Sequence, residues 1–248
     1  MEKKINATVD GTLQGPDALA ELVAMHLHRL GAAQAQSVTF VADGAPWIWD
    51  RLASICRLAK LDKMRVHEVL DNCHAVHHVS LALAGLGLAD QERFAMYKQY
   101  RTLVRNGQWR QVVDEIRELA AGKPNEDAII VELTYLRKHG LAGRLSYPHF
   151  RSLGLPLGSG AIESNIRRVL NLRLKSNAMY WREPMAEAML QVRAHVVSGR
   201  WDSRMKACRE HHLKNIQLPW QFESQPMSEK NEAANPEVKL STNSQGNT

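Results

Sequence analysis

The chain has 248 residues and is 44% hydrophobic, which is enough to bury the core of one domain, or of one domain with a large insertion. No apolar run approaches the roughly 18 residues that a membrane span requires, and the charged first residues do not form a signal segment. We therefore expect a cytoplasmic protein without a membrane partner. The three cysteines, Cys56, Cys73 and Cys208, form no CxxC pair and predict no disulfide.

The net charge of +6 is unevenly distributed along the chain. Basic residues are concentrated in one short segment after Glu163, namely Arg167, Arg168, Arg173, Lys175 and Arg182. A surface that binds phosphates has this pattern, and so does a solvated basic helix face. The segment by itself leaves both interpretations open.

The first predicted elements are a weak strand over Lys4 to Thr12 and a helix that starts at Pro16 and stops at Gly31. Proline favours the first turn of a helix and glycine the position after its last turn, so these two residues mark the ends of the apolar helical pattern between them.

Asp43 ends a short apolar run that starts at Ser37 and is typical of a buried strand. A helix opened by Pro46 follows, and a further strand over Arg65 to Leu70 ends at Asp71. Alternating strands and helices predict an α/β fold with parallel strands, whose carboxyl ends meet at one edge of the sheet. Asp43 is therefore either a site residue at that edge or only the cap of the next helix.

Helical periodicity alone continues from His74 to about His139, which predicts a helical insertion. A glycine-rich loop over Leu153 to Gly160 then leads into a helix, Ala161 to Leu174, that carries Glu163. One more helix is predicted over Pro184 to Val197, followed by a polar tail.

These elements predict four segments. They are a core-forming segment over residues 1–75, a helical insertion over 76–150, core-completing helices over 151–205 with an acid and a basic surface, and a disordered tail over 206–248.

Three carboxylates, Asp43, Asp71 and Glu163, follow strand ends or open a helix behind the glycine loop. If the first turn of that helix lies across the sheet edge, they form an acidic pocket. Divalent cations such as Mg²⁺ prefer oxygen ligands, and a pair of them supports phosphodiester chemistry. The basic residues beyond Glu163 are then placed to hold a nucleic-acid backbone.

Histidines close to Cys73 raise the alternative of a zinc site, since His74 and His78 share a helix face. No second ligand cluster matches them in the sequence. Histidines that pack or pair with neighbours are therefore the favoured interpretation.

Several motifs occur in an order that resembles the transposases of a bacterial insertion-sequence family, over residues 5–205. They are Asp-Gly-Ala-Pro-Trp-Ile-Trp from Asp43, Leu-Asp-Asn-Cys-His-Ala from Leu70, Leu-Pro-Leu-Gly-Ser-Gly-Ala-Ile-Glu-Ser-Asn from Leu155, Asn-Leu-Arg-Leu-Lys from Asn171, Leu-Gln-Val-Arg-Ala from Leu190 and Ser-Gly-Arg-Trp-Asp from Ser198.

The resemblance implies a DDE enzyme with an RNase H-like core sheet, flanking helices and an all-helical insertion between its second and third acids. It implies that Asp43 and Glu163 are those acids, hold Mg²⁺ or Mn²⁺, and are supported by Asp71 and His74. The implied activity is cleavage and strand transfer of DNA at insertion-sequence ends and target, by a homo-oligomer associated with the nucleoid.

The chain differs from this family in its N-terminal elements. Only one strand and one helix precede Asp43, so we expect an N-terminally truncated protein that lacks the strand with the first acid. Asp10 resembles a first acid but leaves too little room before Asp43 for the intervening elements. Two interpretations therefore stay open. The chain is either a fragment of an active transposase or a catalytically inactive DNA-binding or regulatory remnant.

Overall fold

The computed structural model describes residues 7–175 and 179–215, which form a mixed α/β protein that is mostly helical. The chain divides into two compact units, residues 1–205 and residues 206–248. In the second unit the description covers residues 206–215, which are helical.

The first half of the described chain contains both strands. Its elements are α1 (Pro16–Arg29), β1 (Val38–Ala42), α2 (Pro46–Leu58), β2 (Val66–Leu70), α3 (Asn72–Gly85) and α4 (Asp90–Arg105), with short 3-10 turns at Ala32–Gln34 and Lys63–Arg65.

The second half is helical. Its elements are α5 (Trp109–Ala120), α6 (Glu126–Leu141), α7 (Tyr147–Ser152), α8 (Gly160–Ile166), a π-helical turn (Arg167–Asn171), α9 (Leu172–Leu174), α10 (Glu183–Val197) and α11 (Trp201–Asn215).

Strands β1 and β2 pair in parallel, with a register that runs from Val38 opposite Val66 to Ala42 opposite Leu70. The predicted α/β class with parallel strands is therefore confirmed. Within the described residues the sheet has these two strands. An RNase H-like core remains a prediction, because one parallel pair occurs in many α/β folds.

Proline residues start the two helices that flank β1. Pro16 and Pro46 both lie in the first turn, where a missing N–H leaves no hydrogen bond unmade. Helix α5 has the clearest apolar face, and its buried residues are Trp109, Val112, Val113, Ile116 and Ala120. Burial of that face fixes α5 against α6.

The main hydrophobic core joins β2 to helices α3 to α7. Its fully buried members include Leu70, Leu83, Ile116, Leu133 and Tyr147. Between β2 and α8, where every residue is described, the chain forms only helices and connecting turns. A smaller cluster packs α1 on α2 through Ala24 and Ile55.

The strand predicted over Lys4 to Thr12 is wrong where the structure describes it. Residues 7–12 form no strand, and residues 4–6 lie outside the described part. Side chains rather than a neighbouring strand satisfy this backbone. Ser198 Oγ binds both the N–H and the carbonyl of Val9, and Gln191 donates to the carbonyl of Gly11.

Two further differences concern the C-terminal half. The helix predicted over Ala161 to Leu174 contains the π-helical turn, which changes the angular spacing of its basic residues. Helix α11 continues to Asn215, so residues 206–215 are helical although a disordered tail was expected from residue 206. Residues 216–248 lie outside the described part. In the residues covered, no helix is long and apolar enough to cross a membrane.

Gly140 is expected to be essential for the contact between α5 and α6. A Cβ atom at this position would lie 2.3 Å from the Trp109 ring. Gly140→Ala should therefore lower the free energy of unfolding by about 1 to 3 kcal/mol, since overpacking outweighs the gain in helix propensity. In Gly160→Ala, where no atom lies within 4 Å, stability should be unchanged or higher. Urea denaturation of both variants measures the difference, and equal stabilities would contradict it.

Candidate active site

The carboxyl ends of the two strands place Asp43 and Asp71 next to each other. Ala42 and Leu70 are register partners, and the N–H of Asp71 donates to the carbonyl of Ala42 at 2.8 Å. The residues that follow both strands therefore lie side by side at one edge of the sheet, the position where open α/β sheets carry their ligands.

The Asp71 carboxylate is buried and accepts four hydrogen bonds. Oδ1 accepts from the N–H groups of Cys73 and His74 at 2.6 and 3.1 Å, which caps helix α3. Oδ2 accepts from the backbone N–H and the hydroxyl of Ser159, both at 2.5 Å. Only 1% of the Asp71 surface is exposed, so these donors replace its solvent.

Opposing effects act on the pKa of Asp71. Burial raises it, whereas the hydrogen bonds from Ser159, His74 and Cys73 lower it. The hydrogen bonds win, and the pKa lies below its ordinary value of 3.8. Asp71 is thus a buried carboxylate whose oxygens are already occupied by donors of the chain, which suits a structural role.

The bonds from Ser159 attach the glycine-rich loop and helix α8 to the sheet edge. Ser159 is the N-cap residue of α8, and the neighbouring Leu157 carbonyl accepts from the N–H of Asn72 at 2.9 Å. Glu163 follows one turn later, about 6 Å along the helix axis. Its carboxylate is exposed and forms no hydrogen bond or ion pair with a described residue.

The Asp43 carboxylate lies on the turn between β1 and α2. Its Oδ1 accepts from the N–H of Ala45 at 3.0 Å, and its carbonyl accepts from Trp49 Nε1 at 3.0 Å. The side chain is half-buried. The N-cap residue of α2 is Ala45 and the helix has no side-chain cap, so the alternative that Asp43 caps this helix is wrong and its bond to Ala45 closes a local turn. Its position at the sheet edge is that of the site prediction.

Tyr135 of α6 packs directly against this turn. A Cβ atom on Gly44 would lie 2.2 Å from the Tyr135 hydroxyl, so only glycine leaves room for the ring. Burial, together with the nearby negative charge of Asp43, raises the pKa of Tyr135 to about 12. The hydroxyl therefore keeps its proton at neutral pH.

Two histidines hold the Tyr135 ring. His78 stacks on it with centroids 3.5 Å apart, and His78 Nδ1 lies 2.5 Å from Glu132 Oε2. On another side His139 contacts the ring at a centroid distance of 4.7 Å. Burial, aided by the positive charge of Arg144, lowers the pKa of His139 to about 4, so this buried ring is neutral.

Arg144 connects this aromatic cluster to the strands. Its guanidinium donates to Glu68 of β2 at 2.8 Å, lies 3.2 Å from His139 Nδ1 and covers the Trp49 ring at 3.9 Å. Because Trp49 in turn donates to the carbonyl of Asp43, the turn after β1 is held from both β2 and the helical insertion.

The other predicted site residues are more loosely placed. His74 Nδ1 lies 3.4 Å from Asp71 Oδ1 and has no hydrogen-bond partner in the part of the chain that the structure describes. Arg167, Arg168 and Lys175 are exposed and form no ion pair with a described acid, while the side chain of Arg173 lies outside the described part. No group of three His, Cys, Asp or Glu residues that could hold a metal ion occurs among the described residues.

Asp10, the weaker candidate for a first acid, is occupied by other partners. Its Oδ2 lies 2.7 Å from His26 Nε2 and 3.3 Å from Arg200 Nη2, and its Oδ1 accepts from the N–H of Gly11. Burial raises the pKa of Asp10, and these hydrogen bonds lower it by more. Asp10 holds residues 7–12 against the last turn of α1 and the segment after α10, which is a structural role.

Sequence reasoning missed Ser159 and Tyr135. Ser159 lies within the Gly-Ser-Gly motif but has no distinguishing pattern of its own, and its partner Asp71 is 88 positions away. Tyr135 lies in the middle of an amphipathic helix. The available signal for Tyr135 was Gly44, because a glycine after a strand-end acid indicates close approach by another group.

A scan of protein-family models gives no match to this chain, and neither do searches of curated proteins and of solved structures.

Replacement of Asp71 should destabilise the protein in a pH-dependent way. Asp71→Asn leaves buried donors poorly paired and should cost about 1 to 3 kcal/mol at pH 7. The folded-state pKa lies below 3.8, so this contribution is complete above that pH and is lost as the pH falls through the folded-state value. Urea denaturation at pH 7 and pH 3 should show the difference from the wild type narrowing at pH 3.

The matched control is Asp114→Asn, since the Asp114 side chain is 68% exposed and 3.9 Å from Arg117. We expect it to change stability by less than about 0.5 kcal/mol. A cost for Asp71→Asn no larger than this would mean that the bonds to Ser159 do not hold the sheet edge.

Proposed function

We propose that this chain is part of a DDE-type transposase and acts on DNA through Asp43 and Glu163. The observation that supports the proposal best is the pair of hydrogen bonds from Ser159 to Asp71. They bring the start of the Glu163 helix to the edge where Asp43 follows β1. On this proposal the intact enzyme is a homo-oligomer that cleaves and joins insertion-sequence ends and target DNA at the bacterial nucleoid.

The available carboxylate ligands are enough for a divalent cation only when DNA supplies further oxygen ligands. Asp71 is occupied by four donors, which leaves the carboxylates of Asp43 and Glu163 as the ligands that these elements offer. Mg²⁺ is commonly held by one or two carboxylates plus phosphate oxygens of the substrate. We therefore propose that Mg²⁺ or Mn²⁺ binds between these two carboxylates and a DNA phosphate.

The chain's own residues supply binding and orientation in this arrangement. The bound cation supplies charge stabilisation at the phosphodiester. Exposed, unpaired Arg167, Arg168 and Lys175 follow Glu163 on the same helical segment, where they are placed to neutralise phosphates on either side of the cation.

A catalytically inactive DNA-binding remnant is the second candidate. It is favoured by the lack of a three-residue metal group in the part of the chain that the structure describes. Two carboxylates offset the charge of a cation pair poorly, so we expect the chain to bind DNA and to be deficient in cleavage. Nicking of supercoiled DNA by the wild type, at a rate above that of Asp43→Asn, would favour an active enzyme instead.

The carboxylates of Asp43 and Glu163 should weaken DNA binding without divalent cations and strengthen it with them. In EDTA, Asp43→Asn and Glu163→Gln should bind duplex DNA at least as tightly as the wild type, because each removes a charge that repels phosphate. In Mg²⁺ at the same ionic strength, the wild type should gain affinity and both variants should not. Fluorescence anisotropy measures both conditions.

Glu92→Gln, on the exposed first turn of α4, is the matched control and should gain affinity in Mg²⁺ as the wild type does. If Asp43→Asn gained as much affinity as the wild type, the proposed cation site would be refuted.

The basic residues after Glu163 should set the salt dependence of DNA binding. Each neutralised phosphate contributes about 0.9 to the slope of log affinity against log salt, so Arg168→Ala with Lys175→Ala should flatten the slope by about 2. Affinity should fall equally for all sequences. The control pair Arg101→Ala with Arg117→Ala, exposed on α4 and α5, should leave the slope unchanged. An unchanged slope in the first pair would indicate a solvated helix face.

A further inference from the structure

We infer that Tyr135, in the helical insertion, is a positioning residue for the Asp43 carboxylate. The inference rests on the proposed function, because it assigns Asp43 to a cation site. It adds a residue from a segment that carries none of the predicted acids.

The shape of the turn after β1 depends on the Tyr135 ring. The ring occupies the space that a Cβ atom on Gly44 would need, at 2.2 Å from the hydroxyl. The residue directly after Asp43 is therefore packed against the ring, and the backbone direction at Asp43 is set by that contact.

The Tyr135 hydroxyl is an unused donor at this turn. Its oxygen is buried beside the backbone N–H of Gly44, and its proton has no acceptor among the described residues, which is unusual for a buried tyrosine. The negative charge of Asp43 contributes to the raised pKa of the hydroxyl. The hydroxyl lies against Gly44, the residue after Asp43, whose Oδ1 already accepts from the N–H of Ala45. A donor in that place is suited to hold one carboxylate oxygen while the other binds a cation.

The ring cannot move away without breaking several other contacts. It is held between His78, which pairs with Glu132, and His139, which Arg144 contacts. Residues that orient a cation ligand in this way change cation affinity about 10- to 100-fold when replaced. Because the hydroxyl is buried, it acts through Asp43 and does not touch DNA.

Tyr135→Phe tests the inference because it keeps the ring and removes the donor. With the full chain and duplex DNA, the Mn²⁺ concentration that gives half of the gain in DNA affinity should rise about 10-fold. The melting temperature should stay the same or rise, because a buried unpaired hydroxyl is removed.

Tyr147→Phe is the matched control. The Tyr147 hydroxyl is buried and donates to the Leu70 carbonyl at 2.9 Å, so its loss should lower the melting temperature and leave the Mn²⁺ requirement unchanged. If Tyr147→Phe raised the Mn²⁺ requirement as much as Tyr135→Phe does, the effect would reflect a general loss of packing in the protein, and the inference would be overturned.

The remaining outcomes separate the inference from the proposed function. If Asp43→Asn abolishes the Mn²⁺ gain and Tyr135→Phe keeps the wild-type requirement, the positioning role is overturned while the cation site stands. If Asp43→Asn retains the full gain, the cation site fails and the role of Tyr135 fails with it.

Discussion

The bond between the Asp71 carboxylate and Ser159 is the constraint on which the rest of the site depends. A carboxylate with 1% exposure has lost its solvent, and it is tolerable only when donors of the chain replace the water. Two of those donors come from Ser159, 88 positions along the chain. The helical segment between them must therefore fold back onto the sheet edge, and helix α8 starts there as a result.

The helical segment over residues 76–150 packs together with the strands. Val69 and Leu70 of β2 share one hydrophobic core with Leu83 and Ile129 of that segment. The contacts of Tyr135 and Arg144 extend that connection to the turn at Asp43. The turn that carries Asp43 is thus held by Tyr135 at Gly44 and by Trp49 at the Asp43 carbonyl, which is the kind of rigidity that an orienting site requires.

The candidate acids differ in what their oxygens already bind. Asp71 and Asp10 are occupied by donors of the chain and stabilise the fold. Glu163 has no described partner, and Asp43 is only half-buried. Carboxylates that remain available, next to unpaired arginines on the following helical turns, suit an anionic ligand that brings its own oxygens to a shared cation. On the proposed function, this difference between the acids suits a cation that is shared with DNA and not a closed metal centre.

The sequence by itself determined the local elements. Pro16 and Pro46 started helices, the apolar runs before Asp43 and Asp71 formed parallel strands, and the periodicity of α5 placed its buried face, because these depend on neighbours in the chain. Only the tertiary structure decided how the acids are used. Residues 7–12 form no strand, because side chains of α10 and of the segment after it form hydrogen bonds with their backbone. The roles of Ser159 and Tyr135 depend on partners about 90 positions away in the chain. No local pattern encodes such contacts, since they arise only when the main core closes.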